Sequence, residues 1–405
     1  MLTGIRLIKY QASLCTRITL EPITIFIGPN GSGKSTIASA LYALSTTIRL
    51  GLIAAFPEGF FSFWNLRHFD AKKCGYKYPP IGIGVSGDLD GFSFDYDIFF
   101  SRDVNSSSGF FISYEGLRIR KGKELLHYTL GSHPDIDFDL PTKGEEKWIS
   151  GIETHPQKRQ CLFLETREIE RQDPLLDYLR RIRKYVQMMS RYQFLASAAR
   201  MPCERYDGSG RAPFLKSDAS NLGEVIQYLQ EEERGHLVEL KEWVRKYAEG
   251  GNRIVDLGVA TYEDMVFVNF FEEGKKKKTF QVRGPLLSDG YWIFTAFACL
   301  ACSPTLPSIA FFEEPESHLH PHKLSIICDV FKFMTLREDN PCQVMISSHS
   351  PYFLDLFKEA PESVVFLKNG NATKLKEIAD YEKILAMYTL GEAWYSNVFS
   401  WGNPL

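Results

Sequence analysis

The sequence predicts an α/β fold with its reactive residues at strand ends, on three observations. The apolar run Ile23–Ile27 leads directly into GPNGSGKST and then an apolar helical stretch; a second apolar run, 309–312, ends in the adjacent carboxylates Glu313 and Glu314; a third, 344–346, is followed by His349. Short, continuous, β-branched apolar runs are what strands covered on both faces require. Open α/β sheets present ligand-contacting groups just past the carboxyl ends of such strands.

The first element carries the most chemistry. Residues 28–36 contain Asn30, Gly31, Ser32, Gly33, Lys34, Ser35 and Thr36, and satisfy GxxxxGK followed by Ser or Thr between a strand and a helix. The glycines let the backbone wrap so that its N–H groups face a phosphate, and the helix N-terminus adds a favourable dipole. Lys34 is predicted to reach the β- and γ-phosphates of a bound nucleotide and Ser35 to ligate Mg²⁺. This loop alone does not separate a kinase from a GTPase or a motor.

The second element, PSIAFFEEPESHLHP (307–321), supplies two carboxylates whose side chains leave a strand in different directions. One can hold Mg²⁺ through water while the other polarises an attacking water as general base. The third, LLSDGYWIF (286–294), sets Ser288 and Gly290 at the start of an apolar helix, where a hydroxyl and bare N–H groups suit phosphate. Taken alone it reads equally as a serine-capped helix. The fourth, QVMISSHSPYFLDLF (343–357), puts His349 at the ligand edge of a strand.

In this order the four elements resemble the ATP-binding-cassette class of ATPases. More narrowly they are similar to the branch shared by SMC proteins, OLD-family nucleases and stand-alone bacterial ATPases of the AAA_21 and AAA_15 type. The resemblance rests on 28–36, 287–290, 313–321 with Leu319 and His320, and 348–351, with 218–229 as a further match. It implies a P-loop NTPase of ABC-ATPase type, with ATP and Mg²⁺ as ligands. Lys34 and Ser35 become the phosphate and Mg²⁺ contacts, Glu314 the catalytic base, Ser288 and Gly290 the signature, and His349 the switch histidine. Glu313 stands where the family usually has Asp, which puts the rate of hydrolysis in question. Gln193 is the candidate for the glutamine that senses Mg²⁺. The resemblance also implies a homodimer with shared ATP sites, because the signature of one protomer faces the nucleotide of the other. A separately encoded effector, such as a nuclease or toxin subunit in anti-phage defence, is the expected partner. The alternative is an ATP-dependent DNA-binding clamp in repair.

On this reading the chain is a single ATPase domain with a nucleotide-binding core at 1–50 and 280–370, an insertion at 51–279 and a C-terminal extension at 371–405. Within the insertion, 81–130 alternates and is punctuated by DG, SSSG and KGK, which predicts β-hairpins. A helix starts at Asp173 and Pro174 with Arg180, Arg181, Arg183 and Lys184 on a basic face, 191–200 reads as strand-like, two helices meet near Gly235, and Lys275 to Lys278 form a hairpin turn. The helices are too short for an SMC-type coiled-coil arm and lack heptads.

Composition limits the rest. With 44% apolar residues, 24% charged residues and a net charge of −3, the chain is a folded protein without a global pull toward nucleic acid or an anionic membrane. The stretch 291–312 carries no charge, yet Pro304 and Pro307 break it, so a helix, a loop and a strand are expected instead of a membrane span. The eight cysteines are dispersed and the start MLTGIRLIKY lacks a signal-peptide apolar run, so reduced thiols and a cytoplasmic location are expected. The lone CxxC of Cys299 and Cys302 reads as buried helix residues.

Overall fold

A computed structural model of the chain describes residues 1–56, 66, 80–102, 110–131, 146–148, 163, 174–249, 254–274, 278–282 and 284–399. They belong to two compact units, one of residues 1–189, 360–387 and 393–405, the other of 190–359 and 388–392.

The first unit opens with a hairpin of β1 (Leu2–Tyr10) and β2 (Ser13–Thr19), followed by β3 (Ile23–Ile27), helix α1 (Lys34–Leu50) and the single turn α2 (Leu52–Ala55). The alternating stretch then forms β4 (Ile81–Leu89), β5 (Phe92–Arg102), β6 (Phe110–Lys121) and β7 (Glu124–Gly131), with the short β8 (Glu146–Trp148) beyond. The hairpins are present as the alternation predicts. At the first turn Asp90 and Gly91 have φ of 43° and 84°, the paired positive values that a two-residue hairpin needs and that Asp-Gly tolerates. The SSSG turn lies outside the described residues.

These strands continue the N-terminal sheet, in the order β2-β1-β4-β5-β6-β7-β8. The pairing sets Ile5 opposite Val85 and Leu7 opposite Ile83, all buried, so the second edge of β1 is satisfied by apolar partners in register. Sequence patterning marks the strands but not this neighbour, because the pairing spans a long chain separation. Helix α3 (Pro174–Gln187) docks on α1 through Ser45 Oγ, which donates to the Gln187 carbonyl at 3.2 Å. On its basic face Arg181 is spent on Asp177 at 2.8 Å and Asp90 at 3.2 Å.

The second unit begins with β9 (Met189–Tyr192), α4 (Ala196–Ala199), β10 (Cys203–Glu204), α5 (Leu222–Glu231) and α6 (Arg234–Ala248). Residues 191–200 are thus a strand end plus a helical turn rather than one strand, because the Ala-rich ASAA segment favours helix. The two helices meet at Glu232 and Glu233, and Gly235 sits in the first turn of α6 with open space where a Cβ would be. A small antiparallel sheet follows: β11 (Ile254–Tyr262), β12 (Met265–Glu273) and β13 (Thr279–Val282). β12 and β13 form the predicted hairpin, closed by Gly274 N–H donating to the Lys278 carbonyl at 2.8 Å; 275–277 of the turn lie outside the described residues.

The uncharged stretch resolves into α7 (Asp289–Ala301), a loop holding Pro304 and Pro307, and β14 (Ile309–Glu313). After α8 (Leu324–Leu336) comes β15 (Gln343–Ser348), parallel to β14 with Phe312 opposite Ile346 and Glu313 opposite Ser347, and then α9 (Pro351–Asp355). β9 lies on the other side of β14. Phe312 is the hub: its ring stacks on Tyr192 and Phe331 and meets Phe297 and Phe194. This packing holds the carboxyl end of β14, where the two glutamates emerge, on a rigid base. No helix among the described residues is long and apolar enough to cross a membrane. Cys299 and Cys302 are fully buried at the end of α7, and burial pushes both thiols up, so neither is a poised nucleophile.

The chain closes the first unit with β16 (Val364–Lys368), parallel to β3, and β17 (Asn371–Lys374), joined by a turn in which Asn369 and Gly370 have φ of 51° and 75°.

Candidate functional site

In the first unit, β3 delivers residues 28–36 into the start of α1, which begins at Lys34 with Gly33 as its N-cap. Gly33 has φ of 110° and Gly31 of 77°, values that L side chains rarely adopt. A Cβ on Gly28 would stand 2.2 Å from the Leu367 carbonyl oxygen, so the loop passes too close to the β16 end for any other residue. Gly31 has open space on its Cβ side. Gly33 offers no side-chain cap, which leaves the first helical N–H groups, those of Lys34, Ser35 and Thr36, without an intrahelical partner.

Two further observations fit the loop to a phosphate ligand. Ser32 is buried with its hydroxyl lacking any hydrogen-bond partner. Lys34 is buried, and its Nζ donates to the Gly28 carbonyl at 2.6 Å and the Pro29 carbonyl at 2.9 Å, which folds the ammonium back over the concave side of the loop. Ser35 and Asn30 are exposed. The donor set is an ammonium, a hydroxyl and convergent N–H groups, with no carboxylate in the loop, as an anion site requires.

In the second unit, Glu313 and Glu314 emerge together from β14 and separate at once. Glu313 is nearly buried and bound by Arg191 of β9, whose Nε lies 2.6 Å from Oε1 and whose Nη2 donates to Oε2 at 2.9 Å. Glu314 turns into the left-handed region with φ of 45°, its N–H donating to the Ser347 carbonyl at 2.8 Å. A non-glycine residue held there stores strain of ~1–2 kcal/mol, which β14 and β15 impose jointly. The result is a half-exposed carboxylate with Oε1 at 3.6 Å from His349 Nε2. His349 is placed by a third carboxylate: half-buried Glu316 accepts from the Ser348 hydroxyl at 2.5 Å and from the His349 N–H at 3.1 Å. Burial raises the Glu316 carboxyl above its ordinary range.

Gln193 follows β9 and lines a small cavity of about 110 Å³ together with Glu313, Glu314 and His318. The fold therefore brings this glutamine beside both carboxylates despite a weak local sequence pattern. Ser288 is the N-cap of α7, exposed and making no capping hydrogen bond, so its hydroxyl is not consumed by its own helix. Gly290 is required by close approach, since a Cβ there would meet the Tyr247 hydroxyl at 2.8 Å and the His318 carbonyl oxygen at 3.3 Å.

A family model described as "AAA domain, putative AbiEii toxin, Type IV TA system" matches residues 23–355, spanning the phosphate loop, both carboxylates and His349. The chain belongs to this AAA_21 family. No curated protein sequence matches it. Among solved structures, the chain is similar to a Pyrococcus furiosus Smc head domain with an extended coiled coil bound to the C-terminal domain of ScpA, with a TM-score of 0.50 and 14% identity over 95% of this chain and 98% of that one. It is also similar to an Smc head bound to the C-winged helix domain of ScpA (TM-score 0.49, 13% identity, 95% and 99% covered). An SMC head domain from Thermotoga maritima gives a TM-score of 0.39 at 12% identity, with 92% and 98% covered. The likeness to the Pyrococcus head establishes the fold, a P-loop NTPase of ABC-ATPase type. The AAA_21 protein is thus a P-loop ATPase of this family, and P-loop ATPases generally bind ATP with Mg²⁺.

Three charged residues of this AAA_21 chain escape sequence reasoning. Arg191 binds Glu313; Glu316 lies inside the 313–321 motif yet shows no positioning role by spacing; and Arg200, the C-cap of α4, donates through Nη2 to Asp289 at 2.5 Å and to the Leu287 carbonyl at 3.5 Å. Arg200 thereby holds the residues on either side of Ser288. Each makes its contact across a long stretch of chain, so none has a local signature.

Proposed function

We propose that the AAA_21 chain is an ATP-hydrolysing switch that dimerises around ATP and thereby controls a separately encoded effector, a nuclease or toxin subunit of a bacterial defence system. The observation that carries the hydrolytic part is the Glu314–His349 pair: a carboxylate held at a strained strand end, half open to solvent, with an imidazole nitrogen 3.6 Å away. Glu314 is the residue to orient and deprotonate the attacking water, and His349 the residue to hold hydrogen-bonding geometry beside it. Residues 28–36 supply the phosphate cradle, with the Lys34 ammonium and the N–H groups at the start of α1 facing the anion. Ser35, Glu313 and Gln193 are the residues to hold Mg²⁺, directly or through water. The metal, when bound, neutralises charge on the β- and γ-phosphates.

Ser288 and Gly290 act in trans on this reading. One chain carries one phosphate loop and one exposed Ser288 at a helix start, so a two-fold pair of chains offers two complete sites. The nucleotide favours the closed pair by contacts that the open form lacks. The effector assignment draws on the family, whose description names a toxin–antitoxin system.

Light scattering of the purified Glu314→Gln protein tests the switch. With ATP and Mg²⁺ it is expected to run at twice the monomer mass, and with ADP or with no nucleotide as the monomer. A mass independent of nucleotide contradicts ATP-gated assembly.

A further inference from the structure

The Arg191–Glu313 pair has no counterpart in the roles assigned so far. Arg191 lies on β9 beside β14, and its guanidinium meets each oxygen of Glu313 once: Nη2 donates to Oε2 at 2.9 Å, and Nε stands 2.6 Å from Oε1 as an ion contact without hydrogen-bond geometry. The Glu313 side chain is only 10% exposed, so the ion pair is shielded on the carboxylate side, while Arg191 remains 41% exposed and has room to swing away. Gln193, two residues on and so on the same face of the extended segment, lines the small cavity with Glu313 and Glu314. This one segment therefore brings both a cation and an amide to the carboxylates.

Side-chain length connects this to the glutamate itself. An aspartate at 313 would withdraw the carboxylate by one methylene, ~1.5 Å, enough to take a contact of this kind beyond hydrogen-bond reach without backbone movement.

We infer that Arg191 is a positioning residue that sets the divalent-cation affinity of the ATP site by competing, as an internal cation, for Glu313. The inference rests on the proposed ATPase reading, in which Glu313 faces the metal. The guanidinium must release at least one carboxylate oxygen before Glu313 can face a divalent ion or its bound water. The pair thus weakens metal binding, and it holds Glu313 in place when no metal is present.

The test uses Mn²⁺ as the probe in the full chain carrying Glu314→Gln, saturated with ATP, with free Mn²⁺ read by electron paramagnetic resonance. Arg191→Met is expected to tighten Mn²⁺ binding about tenfold, Arg191→Lys, which keeps the charge but cannot contact both carboxylate oxygens as the guanidinium does, by a smaller factor. ATP affinity measured in EDTA is expected to be the same in all three proteins. Adding Glu313→Gln should abolish the difference that Arg191→Met makes, since the competed group is gone. Unchanged or weaker Mn²⁺ binding in Arg191→Met, with ATP still bound, overturns the inference. Should Arg191→Met fail to fold by circular dichroism, Arg191→Lys decides alone: tighter Mn²⁺ binding supports the inference and unchanged or weaker binding overturns it. Failure of the protein that retains Arg191 to bind ATP at all contradicts the ATPase reading instead, so the two failures are distinct.

Discussion

Glu314→Gln is expected to lower the rate of ATP turnover by ~10²–10⁴-fold, equivalent to about 3–5 kcal/mol of barrier, while ATP still binds. The amide keeps the size of the carboxylate and its backbone strain at φ of 45°, so the β14 end should fold as before. What it loses is the capacity to take a proton. Phosphate release under single-turnover conditions isolates this step from product dissociation. A fall of less than about threefold would move the general base elsewhere, with Glu316 a poor replacement because its Oε1 already accepts from the Ser348 hydroxyl and the His349 N–H.

Lys34→Ala is expected to weaken ATP binding by ~30- to 1000-fold, about 2–4 kcal/mol, because it removes a buried ammonium aimed at the phosphate cradle. Part of that loss is structural. Lys34 Nζ holds the carbonyls of Gly28 and Pro29 at 2.6 and 2.9 Å, and without it the loop loses two of its internal ties. Titration with a fluorescent ATP analogue measures the affinity, and a thermal melt without nucleotide separates the two contributions: a large drop in melting temperature assigns the effect to the loop, a small one to the ligand contact. Affinity within threefold of the unmutated chain would remove Lys34 from the phosphate site.

Much of the site was legible because its chemistry is contiguous in the chain. The strand, loop and helix of 23–50 carry their own punctuation, and the apolar run that ends in Glu313 and Glu314 announces both a buried strand and an exposed reactive end. The uncharged 291–312 stretch was likewise readable, since Pro304 and Pro307 divide it where the helix and strand divide. What local pattern cannot give is which strand lies beside which. β4 follows β1 in the sheet, and β9 follows β14, only through pairings that close long loops. Arg191 acts through the β9–β14 pairing, and Arg200 and Glu316 through contacts equally distant in the chain, so charged residues with no positioning signal of their own became the ties that orient Glu313, Ser288 and His349. Gln193 shows the intermediate case: its type suggested a role by resemblance, and its place beside both carboxylates came from β9 being the neighbour of β14.

On the proposed reading, each ATP site draws its phosphate loop from one chain and its Ser288 from another. Mixing two inactive proteins, Lys34→Ala and Ser288→Arg, tests it most directly. In a mixed pair the Ser288→Arg protomer contributes an intact loop and the Lys34→Ala protomer an intact Ser288, so one of the two sites is whole. An equimolar mixture is expected to recover about a quarter of the unmutated rate, because about half of the pairs are mixed and each has one working site. Activity no greater than the sum of the two separate proteins, under conditions where mixed pairs form, would contradict the shared site.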